Sequence, residues 1–217
     1  MKPRIRVHPR ARRLTLRLDA TRNPVVTAPR FTPHWFINRF VQSQQPWITK
    51  HQQILKHAKN TFVSDSHIDL FGKRYQLSAH STSGASKVTI QAKTVKVAVH
   101  TGKELSTILN TFLKNTASHY LVPRVHALAK KMTVKFNKLT LRAQTTRWGS
   151  CSSTGNLNFN WRLVHFTPNI IDSVIIHELA HRQHLNHSHD FWQFVAKFDP
   201  DYRLHRGWLK RNGIGVV

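Results

Sequence analysis

Cysteine, acidic residues and long apolar runs are what this sequence has least of. Its one cysteine, Cys151, rules out an internal disulfide and suits a reducing compartment. No run of about 18 apolar residues occurs, so no membrane-spanning helix is expected. The opening Met1-Lys2-Pro3-Arg4-Ile5-Arg6 lacks the apolar centre of a secretory signal. It also lacks serine, and Pro3 and Pro9 would break the amphipathic helix of a transit peptide. The cytoplasm is the expected location. Acids number nine against 34 Lys+Arg, a formal net charge of +25. Such an excess points to polyanionic company (DNA, RNA, nucleotides or an anionic surface) unless the basic residues are simply spread for solubility. They occur all along the chain. Hydrophobic residues at 40 % mark a globular chain, and 217 residues suffice for a real core.

One of the only two glutamates stands inside His177-Glu178-Leu179-Ala180-His181. Ile170, Ile171, Val174 and Ile175 precede it at helical spacing, with Thr167-Pro168 as a helix start. Residues four apart lie one turn apart on one face, so both imidazoles can reach a single ion. The pattern is that of zinc-dependent hydrolases, whose glutamate takes a proton from water activated by the ion. With 16 histidines and two glutamates, chance would supply about 0.01 such matches.

A zinc hydrolase site takes a third protein ligand and keeps one position open. The third ligand comes from His184, His187, His189 or a distant segment. His184 would stand roughly 10 Å along a continuous helix from His177, too far for bonds of about 2 Å. A helix that stops near Leu185 and turns at a left-handed Asn186 would bring His187 back to the ion. His187 is therefore the preferred third ligand, with His184 and a remote residue as the alternatives.

In chain order, Leu14, Leu16 and Leu18 alternate as a half-buried strand, partnered by Val25-Val26-Thr27-Ala28 across Arg22-Asn23-Pro24. Thr32-Pro33 opens a helix with Phe36, Ile37, Phe40 and Val41 apolar. Pro46 opens a second, with Trp47, Ile48, Ile54 and Leu55 apolar and Lys50, Lys56 and Lys59 outward. Strands return from Ile68 to Val99 after a turn at Phe71-Gly72-Lys73. A long helix begins near Leu105, to be broken or kinked at Pro123. The change of pattern near residue 102 is the expected boundary between two domains, 1–102 and 103–217. Leu139-Thr140-Leu141 and Leu157 to Trp161 read as strands joined by a loop from Thr145 to Gly155. Ser188 caps a further helix, and Asp199-Pro200 starts a last one that stops near Gly213. Trp35, Trp47, Trp192 and Trp208 fall on apolar helical stripes and are expected in the core.

These residues resemble the YgjP-like metallopeptidases, relatives of the SprT-type zincins. The likeness rests on Arg147-Trp148-Gly149-Ser150-Cys151-Ser152, Leu157-Asn158-Phe159-Asn160-Trp161-Arg162-Leu163, the His177 to His181 motif, Asn186-His187-Ser188 and Phe191-Trp192. It is strongest over roughly residues 140 to 210. What it implies is an α+β fold: a basic, β-rich N-terminal part, then a minimal zincin-like helical domain with a small antiparallel sheet. It further implies Zn²⁺ on His177, His181 and His187, with Glu178 as catalytic base. By the same resemblance the Leu157 to Trp161 strand, with Asn158, would be the edge on which an extended peptide pairs. Arg147 and His165 are candidates for the cation that steadies developing negative charge. Arg147-Trp148 would line the cleft or pack beneath the motif helix. Cys151 reads as a small packed residue. Asp172 and Asp190 would cap helices or orient ligand imidazoles.

The expected function is zinc-dependent peptide hydrolysis, with nucleic-acid-associated protein as one class of substrate. A metal-dependent nucleoside triphosphate pyrophosphohydrolase is the alternative enzyme. The chain shows neither a glycine-rich phosphate loop nor the acidic cluster that holds Mg²⁺ beside phosphates. A nucleic-acid-binding protein with a structural zinc is the second alternative, and the glutamate inside the motif argues against it.

Overall fold

The first strands pair as their alternation requires. In a computed structural model, which describes residues 3–18, 23–49, 66–144 and 146–212, β2 (Thr15–Leu18) runs antiparallel to β3 (Pro24–Ala28). Strand β1 (Arg4–Val7) lies parallel on the other side of β3, a pairing the alternation does not signal. Helix α1 (His34–Ser43) buries Ile37 and Val41 in one cluster with Val26, Ala28 and Ile48. It starts one residue later than Thr32-Pro33 predicts, with Pro33 as its N-cap. Trp35 is not in the core. It is 65 % exposed, because two residues before Ile37 on a helix is about 200° away from the buried stripe. Residues 45–49 are helical and carry Ile48. Arg22, Lys50, Ile54, Leu55, Lys56, Lys59, Thr145 and Gly213 lie outside the described residues.

Two compact units emerge, residues 1–60 and 61–217. The change of pattern near residue 102 thus falls inside the second unit and marks a change of element type. That unit opens with β4 (His67–Leu70), β5 (Lys73–Thr82), β6 (Lys87–Gln91) and β7 (Thr94–His100), ordered β4-β5-β7-β6. Strands β5 and β7 are parallel, and the other pairs antiparallel. At the β4–β5 turn, the Phe71 amide donates to the Val164 carbonyl at 2.7 Å and the Gly72 amide to that of His165 at 3.3 Å. Gly72 has φ +75°, and a Cβ there would collide with Thr167, so this turn needs glycine twice over. These bonds fasten the four-stranded sheet to the segment just ahead of the motif helix, and so tie together stretches on either side of residue 102.

Helix α2 (Leu105–Lys131) is one continuous helix through Pro123, against the expected break. Pro123 is exposed, whereas Leu121, Val125, Leu128 and Ala129 are buried. The hydrogen bond the proline forfeits is therefore on the solvent side, and the buried stripe holds the two halves in line.

The third sheet differs from expectation in two ways. Strands β8 (Leu139–Arg142), β9 (Gly149–Cys151) and β10 (Leu157–Asn160) lie in the order β8-β10-β9. It is mixed, not antiparallel: β8 is parallel to β10, and β9 is antiparallel to it. The Thr145 to Gly155 stretch, expected as loop, contributes β9, so β10 is the central strand and cannot offer a free edge. Trp161–His165 forms a 3-10 helix, started by the Asn160 side chain accepting from the Arg162 amide at 3.1 Å. Then come α3 (Pro168–Ala180), α4 (His189–Phe198) and α5 (Tyr202–Asn212), with Thr167 and Ser188 at the first two N-caps. The architecture is α+β. No described helix is long and apolar enough to cross a membrane.

Candidate metal centre

Helix α3 is apolar on nearly every face: Ile170, Ile171, Val174, Ile175, Ile176 and Leu179 are all at most 5 % exposed. That burial carries His177 and Glu178 inward with it, at 8 % and 6 % exposure. The helix ends at Ala180, with His181 as its C-cap in right-handed geometry. It stops five residues sooner than Leu185, and no left-handed Asn186 is involved. Tight turns replace them, the Arg182 amide donating to the Leu179 carbonyl and the His184 amide to that of Ala180. The Arg182 side chain secures this end by donating to the carbonyls of Lys135 at 3.1 Å and Ser153 at 3.2 Å.

The early stop folds the chain back and brings His187 to the two motif histidines. One ring nitrogen from each of His177, His181 and His187 lies within 4.8 Å of the others. The Nε2 atoms of His177 and His187 are 3.1 Å apart. Tetrahedral bonds of 2.0–2.1 Å to zinc imply about 3.3 Å between ligand atoms, so the set fits that ion. His181 donates through Nδ1 to the His184 carbonyl at 3.2 Å, which leaves its Nε2 as the free lone pair. His184 therefore serves through its backbone, not its imidazole. Phe191, fully buried, packs against all three rings with centroids 4.7 to 5.1 Å away. Trp192 stacks on His187 at 5.5 Å.

Electrostatics matches the geometry. Burial, followed by the neighbouring His181 and His187, holds His177 down to about 3, and burial likewise lowers His181 and His187. Neutral imidazoles are the metal-binding form. Glu178 is pushed up to about 8 by burial, against the opposing pull of Arg147 and of the Cys151 backbone amide. Gly149 makes room for it: a Cβ there would fall 2.6 Å from the Glu178 Cγ and 2.7 Å from its Oε1.

The other residues marked by the sequence scatter. Arg147 is exposed and its charge acts on Glu178. Trp148 is 1 % exposed and packs edge-on against Phe166 at 4.6 Å, so it supports the core and lines no cleft. His165 is 5 % exposed, with Nδ1 donating to the Asp69 carbonyl at 2.6 Å, and it too lies away from the three rings. Asn158 sits on the central strand, its amide donating to the Ser150 hydroxyl at 3.3 Å. The Cys151 thiol is raised by burial and reaches only the Ser152 carbonyl, at 3.4 Å. Asp172 pairs with Arg124 of α2 at 2.8 Å, and Asp190 stands in the first turn of α4. Spacing singles out neither Gly149 nor Arg206 for function. A glycine inside a strand, the usual mark of close backbone approach, is the signal that points to the first.

Residues 12–212 match the family described as "YgjP-like, metallopeptidase domain". Among solved structures, the metallopeptidase zymogen abylysin of Pyrococcus abyssi is similar at 17 % identity and TM-score 0.41, covering 45 % of this chain and 99 % of that one. The zymogen jannalysin of Methanocaldococcus jannaschii is similar at 18 % identity and TM-score 0.37, covering 42 % and 95 %. No curated protein sequence matches the chain.

Proposed function

The chain belongs to the YgjP-like metallopeptidase family, and on that premise we propose that His177, His181 and His187 hold zinc and that Glu178 is the general base. The convergence of three imidazoles at a helix end is the observation that carries this reading. Zinc, when bound, lowers the pKa of a water molecule, polarises the scissile carbonyl and adds a charge that favours the Glu178 carboxylate. Glu178 accepts the proton of the attacking water and delivers it to the leaving amine. Its basicity suits both transfers. Burial raises it, while Arg147 and the Cys151 amide draw it back toward the ionised form near neutral pH. Arg147, exposed beside Glu178, is the cation placed to steady negative charge developing on the substrate. Phe191 and Trp192 keep the imidazoles in place and shield them from one side.

The substrate is a peptide or protein, and with its single Cys151 the chain suits a reducing compartment such as the cytoplasm. The test compares wild type with Glu178→Gln, each assayed for bound metal, on unfolded protein with and without DNA and on nucleoside triphosphates. We expect equal zinc in both and a loss of peptide cleavage of roughly 10²- to 10⁴-fold in the variant. Glu178-dependent pyrophosphate release without proteolysis would transfer the site to nucleotide chemistry. Zinc bound with no Glu178-dependent turnover would overturn the enzymatic reading.

A further inference from the structure

Helices α3, α4 and α5 enclose a pocket that shares His177 and Glu178 with the metal centre but extends away from it. Its walls are apolar: Val174 from α3, Val195 from α4 and Leu209 from α5, with Trp192 and Tyr202 stacked 5.1 Å apart. One cation lines it. Arg206 places its guanidinium carbon 5.1 Å from the centre of the Trp192 ring. Among the described residues Arg206 takes part in no ion pair; those present join Arg74 to Asp69, Arg124 to Asp172 and His205 to Asp199. Asp199, one turn away and the natural partner, is already occupied by His205 at 2.9 Å. The charge of Arg206 is nevertheless felt at the centre, where it helps keep His177 and His187 neutral.

An unpaired guanidinium held against an aromatic ring at an apolar pocket is built to receive an anion on a short aliphatic arm. The arm's methylenes meet Val174, Val195 and Leu209, and the planar fork of N–H donors meets a carboxylate in two parallel bonds. Because His177 and Glu178 form the pocket's inner wall, whatever fills it belongs to the residue beside the bond being cut. We propose that Arg206 is a specificity-determining residue that binds a carboxylate of the substrate adjacent to the scissile bond. This rests on the peptidase reading. The carboxylate comes either from an acidic side chain or from a free C-terminus.

The test uses blocked octapeptides that differ only in carrying Glu, Gln or Lys at the position after the cleaved bond. A second pair, with Gln there, ends in a free acid or an amide close to that bond. Wild type, Arg206→Lys, Arg206→Met and Arg206→Glu are compared as zinc-loaded full chains. A charge-assisted, two-point contact predicts a preference of roughly 10- to 100-fold in kcat/KM for Glu over Gln, or for acid over amide. The first ratio identifies a side chain and the second a terminus. Arg206→Met should bring the ratio to about one, Arg206→Lys should keep part of it, and Arg206→Glu should favour Lys. Wild-type ratios near one, or a ratio that survives Arg206→Met, would overturn the assignment. The same peptides, fluorescently labelled, are titrated against zinc-loaded Glu178→Gln protein with and without Arg206→Met. A carboxylate preference in binding that needs Arg206, in a protein that cuts no peptide, would sink the peptidase reading and keep the pocket. No such preference in binding or cleavage would remove the pocket and leave the metal centre as it stands.

Discussion

Gly149 acts by having no side chain. In β9 its Cα faces the Glu178 carboxyl so closely that a methyl group would stand 2.6 Å from Cγ, well inside van der Waals contact. The backbone could yield only by separating β9 from β10, whereas the carboxyl could yield by turning aside. The cost of a Cβ therefore falls on Glu178's position more than on folding. A base misplaced by about 1 Å loses on the order of 10²-fold in rate. Gly149→Ala should bind zinc as wild type does, keep its melting temperature within a few degrees and lose most of its kcat. An unchanged kcat would show that the Gly149 approach is not what positions the carboxyl. Arg147 acts at the same scale but through charge alone, since its side chain is exposed.

Among the elements, the length of α3 decides which histidines meet. Had the helix continued to Leu185, His184 would occupy the face below His181 and His187 would be carried further along. Instead it stops at Ala180, Arg182 secures its end, and the His184 carbonyl fixes the tautomer of His181. The two histidines should thus respond oppositely to removal of their rings. His187→Ala is expected to lose stoichiometric zinc in equilibrium dialysis, with affinity lower by orders of magnitude. His184→Ala keeps the carbonyl and should stay within a few-fold of wild type. Zinc retained by His187→Ala and lost by His184→Ala would reverse the assignment. The third sheet obeys the same logic. Entry of β9 from a serine-rich stretch moves β10 from edge to centre, and so β9 is the strand beside α3 at Glu178.

For the molecule as a whole, the site is a stability liability that depends on pH when metal is stripped away. Burial holds His177 at about 3 against an ordinary 6.5, and lowers His181 and His187 in the same sense. At neutral pH folded and unfolded imidazoles are alike uncharged. Below about 6.5 the unfolded chain takes up protons the folded one refuses, so stability falls from there toward pH 3. Glu178, raised from 4.5 to about 8, runs the other way. Its contribution is full below pH 4.5 and is lost as pH climbs to about 8, because only the unfolded chain then carries the carboxylate freely. Metal-free Glu178→Gln should match wild type below pH 4.5 and become more stable than it as pH rises to 8. At about 1.4 kcal/mol per pKa unit the difference reaches a few kcal/mol. Urea titrations of chelator-treated protein across that range measure it, and parallel curves for the two proteins would contradict the buried placement of Glu178.

What could be read from the amino-acid order alone is whatever spans a few residues. His177, Glu178 and His181 lie within one helical turn, so helix periodicity alone puts them on a common site. Ser188 is legible as a cap because its hydroxyl bonds three residues on, to the Phe191 amide. Local alternation likewise marks β2, β3 and the strands from Ile68 to Val99. Packing in three dimensions sets everything that depends on partners far along the chain. Carbonyls of Lys135 and Ser153 hold Arg182 and so secure the helix end. The buried Leu121 and Val125 keep α2 continuous across Pro123. Burial against Phe166 withdraws Trp148 from any cleft, and a bond to Asp69 does the same for His165. The pocket at Arg206 needs three helices from separate stretches, with charge and burial both set by neighbours. Spacing along a chain encodes contacts one turn apart; contacts between segments follow from packing, which no short motif records.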